Sequence, residues 1–226
     1  IPPEIGNLVN LYKLNLKFNN LSGEIPSEIG NLVNLSGDNL ELSYNQLSGE
    51  IPPEIGNLVN LTALYLTDNN LSGEIPSEIG NLTSLTSLQF YRNNLTGEIP
   101  PEIGNLVNLS ELNLYQNNLS GEIPSEIGNL VNLSGSGLNL WDNDLTGEIP
   151  SEIGNLTYLS SLRFSNNQLN GIHPNIMNMQ NLTSIYLQGN QFNEIPTGIG
   201  NLTNLTYLDF SYNQISVIPS EIENLV

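Results

Sequence analysis

The sequence lacks cysteine and carries little positive charge: its 226 residues include no cysteine, one histidine and four lysine or arginine residues. Without cysteine there is neither a disulfide framework nor a thiolate metal site, and the redox compartment stays undetermined. The formal net charge of −19 argues against nucleic acid as a partner, because such partners need a basic surface.

Long apolar runs are missing as well. No stretch is long enough to cross a bilayer, and no leader with a charged and then an apolar part is present, so we expect no membrane insertion in this chain. The single histidine, His173, has no second histidine or cysteine with which to hold a metal, and we expect it to be a surface residue. We therefore expect no metal and no cofactor.

The chain instead consists of a repeating unit of about 24 residues, typified by residues 61–84, which recurs about nine times. A period in this range marks a solenoid, in which each unit buries its apolar residues only by stacking on its neighbours. We expect one continuous domain over residues 1–226, with about nine repeats of 22–26 residues.

The first half of each repeat has the period of two that is typical of a short strand. In the typical unit, Leu64 and Leu66 should point inward, and Ala63, Tyr65 and Thr67 should point outward. An asparagine follows where the chain must turn, and its amide can satisfy backbone groups in its own and the adjacent coil. These ladder asparagines are Asn19, Asn45, Asn69, Asn93, Asn117, Asn143, Asn167, Asn190 and Asn213.

The second half of each repeat, Leu-Ser-Gly-Glu-Ile-Pro-Ser-Glu-Ile-Gly-Asn-Leu, predicts a different conformation. A glycine precedes a short extended piece, and the proline then suits the first position of a helical turn. Gly80 should stop that turn. The outer side of each coil is therefore predicted to be a short extended segment and one 3₁₀ or α-helical turn.

The full pattern, LxxLxLxxNxLSGEIPxEIGNL, resembles the plant-type leucine-rich repeat over essentially the whole chain. The resemblance implies an α/β solenoid: a right-handed superhelix with a parallel concave β-sheet, short second-sheet segments and 3₁₀ or short helical turns on the convex side. It also implies that the concave face recognises peptides, proteins or other ligands, as in receptor-like kinase ectodomains and polygalacturonase-inhibitor-like proteins. An extracellular or cell-surface location follows from the same resemblance.

The ends and the repeat spacing depart from the family pattern. The chain begins and ends inside a repeat and has no cysteine-stabilised caps, so we expect a fragment whose uncapped ends associate end to end. Two repeats are longer by two residues, at Gly37-Asp38 and Gly135-Ser136, before strand leucines. These insertions are either tolerated loops or part of a binding edge.

Two columns of glutamates should line the outer side of the coil, where they keep the protein soluble or collect cations. One column recurs beside the isoleucine-proline pair and the other beside the following turn. Together they contain fifteen of the 23 acidic residues: Glu24, Glu50, Glu74, Glu98, Glu122, Glu148 and Glu194, and Glu4, Glu28, Glu54, Glu78, Glu102, Glu126, Glu152 and Glu221.

Functional information should lie at the outward strand positions, which differ from repeat to repeat. Tyr91, Tyr115 and Trp141 occupy one column in three consecutive strands and should form an aromatic strip, which either binds a ligand or stabilises the sheet. All four basic residues are predicted in strand segments. The candidate ligand-binding residues are Tyr65, Gln89, Tyr91, Arg92, Asn113, Tyr115, Asn139, Trp141 and Arg163.

The sequence thus favours a non-enzymatic scaffold that binds a protein, peptide or glycan on its concave face. No catalytic residue is predicted, because the repeated carboxylates belong to the framework and not to a cleft. Two alternatives stay open. One is ice binding through the ladder of Ser22, Ser48, Ser72, Thr96, Ser120 and Thr146. The other is a passive spacer or adhesin segment.

Overall fold

The computed structural model describes residues 1–225, and each repeat contributes one short strand to a single parallel sheet of nine strands, here called the concave sheet. Adjacent strands pair one repeat apart, so that Leu64 lies opposite Leu88 and Leu88 opposite Leu112. The strands are Leu14–Asn15, Leu40–Glu41, Ala63–Tyr65, Ser87–Gln89, Glu111–Asn113, Leu138–Asn139, Ser161–Arg163, Ser184–Tyr186 and Tyr207–Asp209.

The hydrophobic core lies directly behind the concave sheet and runs through the whole array. Leu64 and Leu66 point into it and are fully buried, as predicted. Ala63 and Thr67, which were expected to point outward with Tyr65, are both buried. Their short side chains flank the much larger Tyr65 on the same face of the strand and are covered by their neighbours.

A short 3₁₀ turn forms the outer side of each repeat. The proline precedes this turn instead of opening it: Pro76 is extended, with φ −65° and ψ 140°. Gly80 lies inside the turn and does not end it. The turns are Pro3–Asn7, Ser27–Asn31, Pro53–Asn57, Ser77–Asn81, Pro101–Asn105, Ser125–Asn129, Ser151–Asn155, Pro174–Asn178, Thr197–Asn201 and Ser220–Asn224. No helix within residues 1–225 is long and apolar enough to traverse a lipid bilayer.

Second-sheet segments lie between the strands and the turns, as the resemblance implied. They form a four-stranded and a two-stranded sheet, between which Glu122 and Thr146 make an isolated bridge. Gly73 has a φ of 74° at the end of its segment, a conformation that glycine adopts without strain. The segments are Ser22–Gly23, Gln46–Gly49, Asn70–Gly73, Asn94–Leu95, Thr146–Ile149 and Gln168–Ile172.

The ladder asparagines connect successive coils, as predicted. Asn69 Nδ2 donates hydrogen bonds to the carbonyl oxygens of Leu42 and Leu66, each at 3.1 Å. Its Oδ1 accepts the backbone N–H of Leu47 at 3.0 Å. One side chain therefore satisfies backbone groups in two repeats, which buried peptide groups require.

The irregular C-terminal repeats contain two further features. Met177 and Met179 are buried in the core, where flexible methionine side chains fill gaps. His173, expected to be a surface residue, also caps the turn Pro174–Asn178: its Nδ1 accepts the N–H of Asn175 at 3.2 Å. The insertions place Gly37 and Gly135 in left-handed conformations with φ of 63° and 59°.

Candidate functional site

The aromatic strip is continuous in the structure. The rings of Tyr91 and Tyr115 are stacked, with centroids 4.4 Å apart and planes within 9°. Trp141 continues the strip with its ring centroid 5.8 Å from that of Tyr115 and its plane tilted by 30°. All three side chains are half-buried. The parallel register of the concave sheet aligns them, because each follows the second inward-facing strand residue of its repeat, which is Phe90, Leu114 or Leu140.

The stacking determines which atoms a ligand could reach. Since the faces of Tyr91 and Tyr115 cover each other, these two rings present edges and hydroxyl groups to solvent. Only the outer face of Tyr91 at one end and the outer face of Trp141 at the other can receive a flat group. Burial raises the pKa of Tyr91 and of Tyr115, and a hydrogen bond with Tyr44 raises the pKa of Tyr91 further.

Tyr44 also belongs to the site, although it was not among the predicted binding residues. Its hydroxyl oxygen lies 3.5 Å from that of Tyr91. Tyr44 directly precedes a ladder asparagine, and the residues at this position adopt the left-handed conformation, which turns their side chains onto the edge of the concave sheet. The non-glycine residues of this column are Phe18, Tyr44, Asp68, Arg92, Gln116, Asp142, Asn166 and Tyr212.

Arg92 also belongs to this left-handed column, with a φ of 56°, and not to a strand as predicted. Its Nη1 lies 3.2 Å from Asp68 Oδ2, and its Nε donates to Gln116 Oε1 at 3.0 Å. The hydrogen bond with Asp68 raises the pKa of Arg92. Of the four basic residues, only Arg163 lies within a strand. Lys13, Lys17 and Arg92 lie just outside the strands of the concave sheet.

A carboxylate that the sequence analysis missed organises the middle of the sheet. Glu111 Oε2 accepts Gln89 Nε2 at 2.8 Å, and its Oε1 accepts Asn113 Nδ2 at 2.7 Å. Ser87 Oγ also contacts Glu111 Oε2, at 3.2 Å. The side-chain amides of Gln89 and Asn113, which were expected to donate hydrogen bonds to a ligand, thus donate to Glu111 instead. Tyr65 lies opposite Gln89 on the next strand, and burial raises its pKa.

A depression opens at each end of the aromatic strip. The first, beyond Tyr91, has a volume of about 290 Å³ and contains an ion pair of 3.4 Å between Lys17 Nζ and Glu41 Oε2. The second, beyond Trp141, has a volume of about 170 Å³ and is here called the slot. It is lined by Asn139, Trp141, Arg163, Ser165, Tyr186 and Gln188.

The tyrosines of the strip predict an alkaline transition. In the folded protein the pKa values of Tyr91 and Tyr115 lie above the ordinary tyrosine value of about 10. Their contribution to folding stability is therefore fully present below about pH 10, and it is lost as the pH rises through the pKa values of the folded state. We expect phenolate absorbance of the native protein to rise in two phases, and Tyr91→Phe to remove part of the later one. The denaturant-unfolded chain should titrate in one phase. A single phase in the folded protein as well would contradict the prediction.

Comparison with known proteins accounts for most of the chain. Family models described as "Leucine-rich repeat region" match residues 39–136, and "Leucine Rich repeats (2 copies)" match 180–225. The model "Leucine Rich Repeat" matches 10–32, 136–156 and 158–179. The search of curated proteins returned no significant match.

Solved structures extend these matches to the full chain. The plant peptide hormone receptor RGFR1, solved with RGF2, is 38% identical over 100% of this chain and 36% of its own, with a TM-score of 0.88. The ectodomain of the Arabidopsis receptor kinase HAESA, solved with an extended IDA peptide hormone, is 36% identical over 97% and 37%, with a TM-score of 0.80. A plant ice-binding protein is 33% identical over 95% of this chain and 69% of its own, with a TM-score of 0.76. The chain belongs to the plant-type leucine-rich repeat family.

This leucine-rich repeat chain spans about a third of the receptor structures it matches, 36% for RGFR1 and 37% for HAESA. Its variable concave positions fall into two groups. Trp141, Asn139 and Arg163 meet in the slot, next to the stacked Tyr91 and Tyr115. The residues Tyr65, Gln89, Asn113 and Arg92 lie nearby but are engaged in the contacts described above or are partly buried.

Proposed function

We propose that this leucine-rich repeat chain is a non-enzymatic recognition domain that binds a peptide or protein segment across the concave sheet. Residues 1–226 form one domain of about nine repeats in this proposal, acting at the cell surface or outside the cell. The observation that carries it is the aromatic strip, which is aligned, half-buried and flanked by a depression at each end. Two of the matched structures contain peptide hormones, which agrees with this function.

Physical chemistry supports the strip as a binding surface. Tyrosine and tryptophan offer large contact areas with few rotatable bonds, so ordering them on binding costs little entropy. The stacking within the strip holds its rings in place before a ligand arrives, which lowers that cost further. The sheet behind it is a rigid part of the solenoid, because every strand is paired to neighbours and packed on a continuous core.

The double variant Tyr115→Ala/Trp141→Ala tests the proposal. Ligands would first be selected from a displayed peptide library on the wild-type chain and measured by calorimetry. We expect the double variant to bind them at least tenfold more weakly, since truncating such aromatic anchors costs about 2 kcal/mol or more.

Tyr158→Ala is the matched control, because Tyr158 is an aromatic residue 64% exposed outside the concave sheet. It should bind the selected peptides like the wild type. Unchanged affinity in the double variant would refute the concave site. A wild-type chain that selects no ligand would favour a spacer or adhesin segment, and concentration-dependent sedimentation would then show whether its ends associate.

Ice binding is a second candidate, because one matched structure is a plant ice-binding protein. The serine and threonine ladder follows the second-sheet segments, which break after Asn94–Leu95 and resume at Thr146–Ile149. Exposed glutamates such as Glu74 and Glu98 lie two residues beyond ladder members, and this charge disturbs a regular, weakly hydrated surface. Ice recrystallisation and thermal hysteresis assays test this function directly.

A further inference from the structure

We propose that the slot binds an aromatic ring with a carboxylate beside it, as in a peptide whose aromatic side chain lies next to an acidic group. This inference rests on the proposed recognition function and names the chemical class that one part of the site takes. Three observations carry it: an open tryptophan face, a gap of suitable size beside it, and the positive charge of Arg163 with amide donors next to it.

The gap arises from one small residue. Ser165 occupies the position in its repeat that Trp141 occupies in the preceding one, and it is 2% exposed at the base of the slot. The aromatic strip therefore stops at Trp141 and leaves the outer face of its ring uncovered. The slot volume of about 170 Å³ is sufficient for one aromatic ring, since a protein cavity of about 150 Å³ accepts benzene.

The opposite wall combines apolar surface with positive charge. The guanidinium of Arg163 lies over the ring of Tyr186, 5.3 Å from its centroid. The ring of Tyr186 is in turn stacked on Tyr207 at 4.5 Å, which holds it in place. Within residues 1–225, the ion pairs involve Lys17 and Arg92, so that Arg163 keeps its charge available for a ligand.

Two amide side chains of the slot keep donors for a ligand. Asn139 Oδ1 accepts the backbone N–H of Trp141 at 3.2 Å, which leaves its amide N–H groups free. Gln188 Oε1 accepts the hydroxyl of Ser165 at 2.6 Å and likewise leaves its amide N–H groups. Together with the guanidinium of Arg163, these amide donors favour a ligand that supplies acceptors and negative charge. A carboxylate next to a flat ring meets both requirements.

The test uses Trp141 as a reporter, because it is the one tryptophan of the chain. Its indole N–H gives a single resolved signal in a proton–nitrogen correlation spectrum. Benzoate and its neutral isostere benzamide would be titrated into the full chain. We expect a saturable shift of the indole signal with benzoate, and an affinity at least tenfold lower for benzamide.

Three variants locate the charge effect. Arg163→Gln should reduce benzoate affinity to that of benzamide, and Arg163→Lys should restore part of the difference. Lys13→Gln removes the same charge from an exposed residue outside the slot and should leave the difference unchanged. Since Arg163 is exposed, these variants should fold, which the remaining backbone signals would verify.

Failure of this inference is distinct from failure of the proposed function. Equal affinity for benzoate and benzamide, or no saturable shift with either, would overturn the slot assignment, even if selected peptides still depend on Tyr115 and Trp141. Charge-selective binding of benzoate that Arg163→Gln abolishes would support the slot, even if no peptide or protein ligand is found for the concave sheet.

Discussion

Replacing Asn117 with alanine should destabilise the solenoid by about 2–4 kcal/mol. It leaves the buried N–H of Leu95 unpaired, at roughly 1–3 kcal/mol, and it removes one of the two amide donors at the carbonyl oxygens of Phe90 and Leu114, which also accept from Asn93 and Asn143. Asn117 Nδ2 donates to the carbonyl oxygens of Phe90 at 3.1 Å and Leu114 at 3.0 Å. Its Oδ1 accepts the N–H of Leu95 at 3.1 Å. The residue is 8% exposed, so water cannot replace the amide without opening the stack.

Asn118→Ala provides the matched control, one residue further along the chain. Asn118 is exposed and directs its side chain away from the buried ladder, so its loss should change the unfolding free energy by less than about 0.5 kcal/mol. Urea unfolding followed by circular dichroism measures both variants. Because a solenoid is stabilised by neighbouring repeats, Asn117→Ala should also split the transition as the flanking blocks separate. Equal midpoints for the two variants would show that the ladder contributes little.

The fold was largely predictable because each structural signal is written about nine times. Alternation of leucines around Tyr65 predicted the strand, and the recurring Asn69 position predicted the bonds between coils. The errors concern Pro76 and Gly80, whose roles were inferred from local conformational preference alone. Packing between repeats decides these positions instead, and a single repeat carries no information on how closely its neighbour approaches.

The candidate site was predictable in its alignment and not in its contacts. Equivalent residues of a parallel, in-register sheet must line up, which places Tyr91, Tyr115 and Trp141 in one column. Which way the rings face, and which donors Glu111 consumes, depend on side-chain conformations across several repeats. Tyr44 had a usable signal, since it directly precedes the ladder asparagine of its repeat.

The second large effect concerns Gly104, in the middle of the array. Its backbone lies so close to the next turn that an added Cβ would be 2.6 Å from both the Cβ and the carbonyl oxygen of Glu126. No real Cβ tolerates that distance, and the obstacle is largely backbone. The turns Pro101–Asn105 and Ser125–Asn129 would have to separate. We expect Gly104→Ala to destabilise the protein by about 3 kcal/mol, at the upper end of ordinary overpacking.

Gly135→Ala separates this steric effect from backbone strain. Gly135 has a φ of 59°, but an added Cβ would meet nothing within 4 Å. Its substitution should therefore cost about 1 kcal/mol, the strain of one left-handed alanine. Hydrogen exchange adds a local readout, since only Gly104→Ala should accelerate exchange at Ile103 and Ile127, whose N–H groups close the two turns. If both variants unfold at the same urea concentration, close packing between the turns does not require glycine at position 104. The spacing between repeats must then be set by the concave sheet instead.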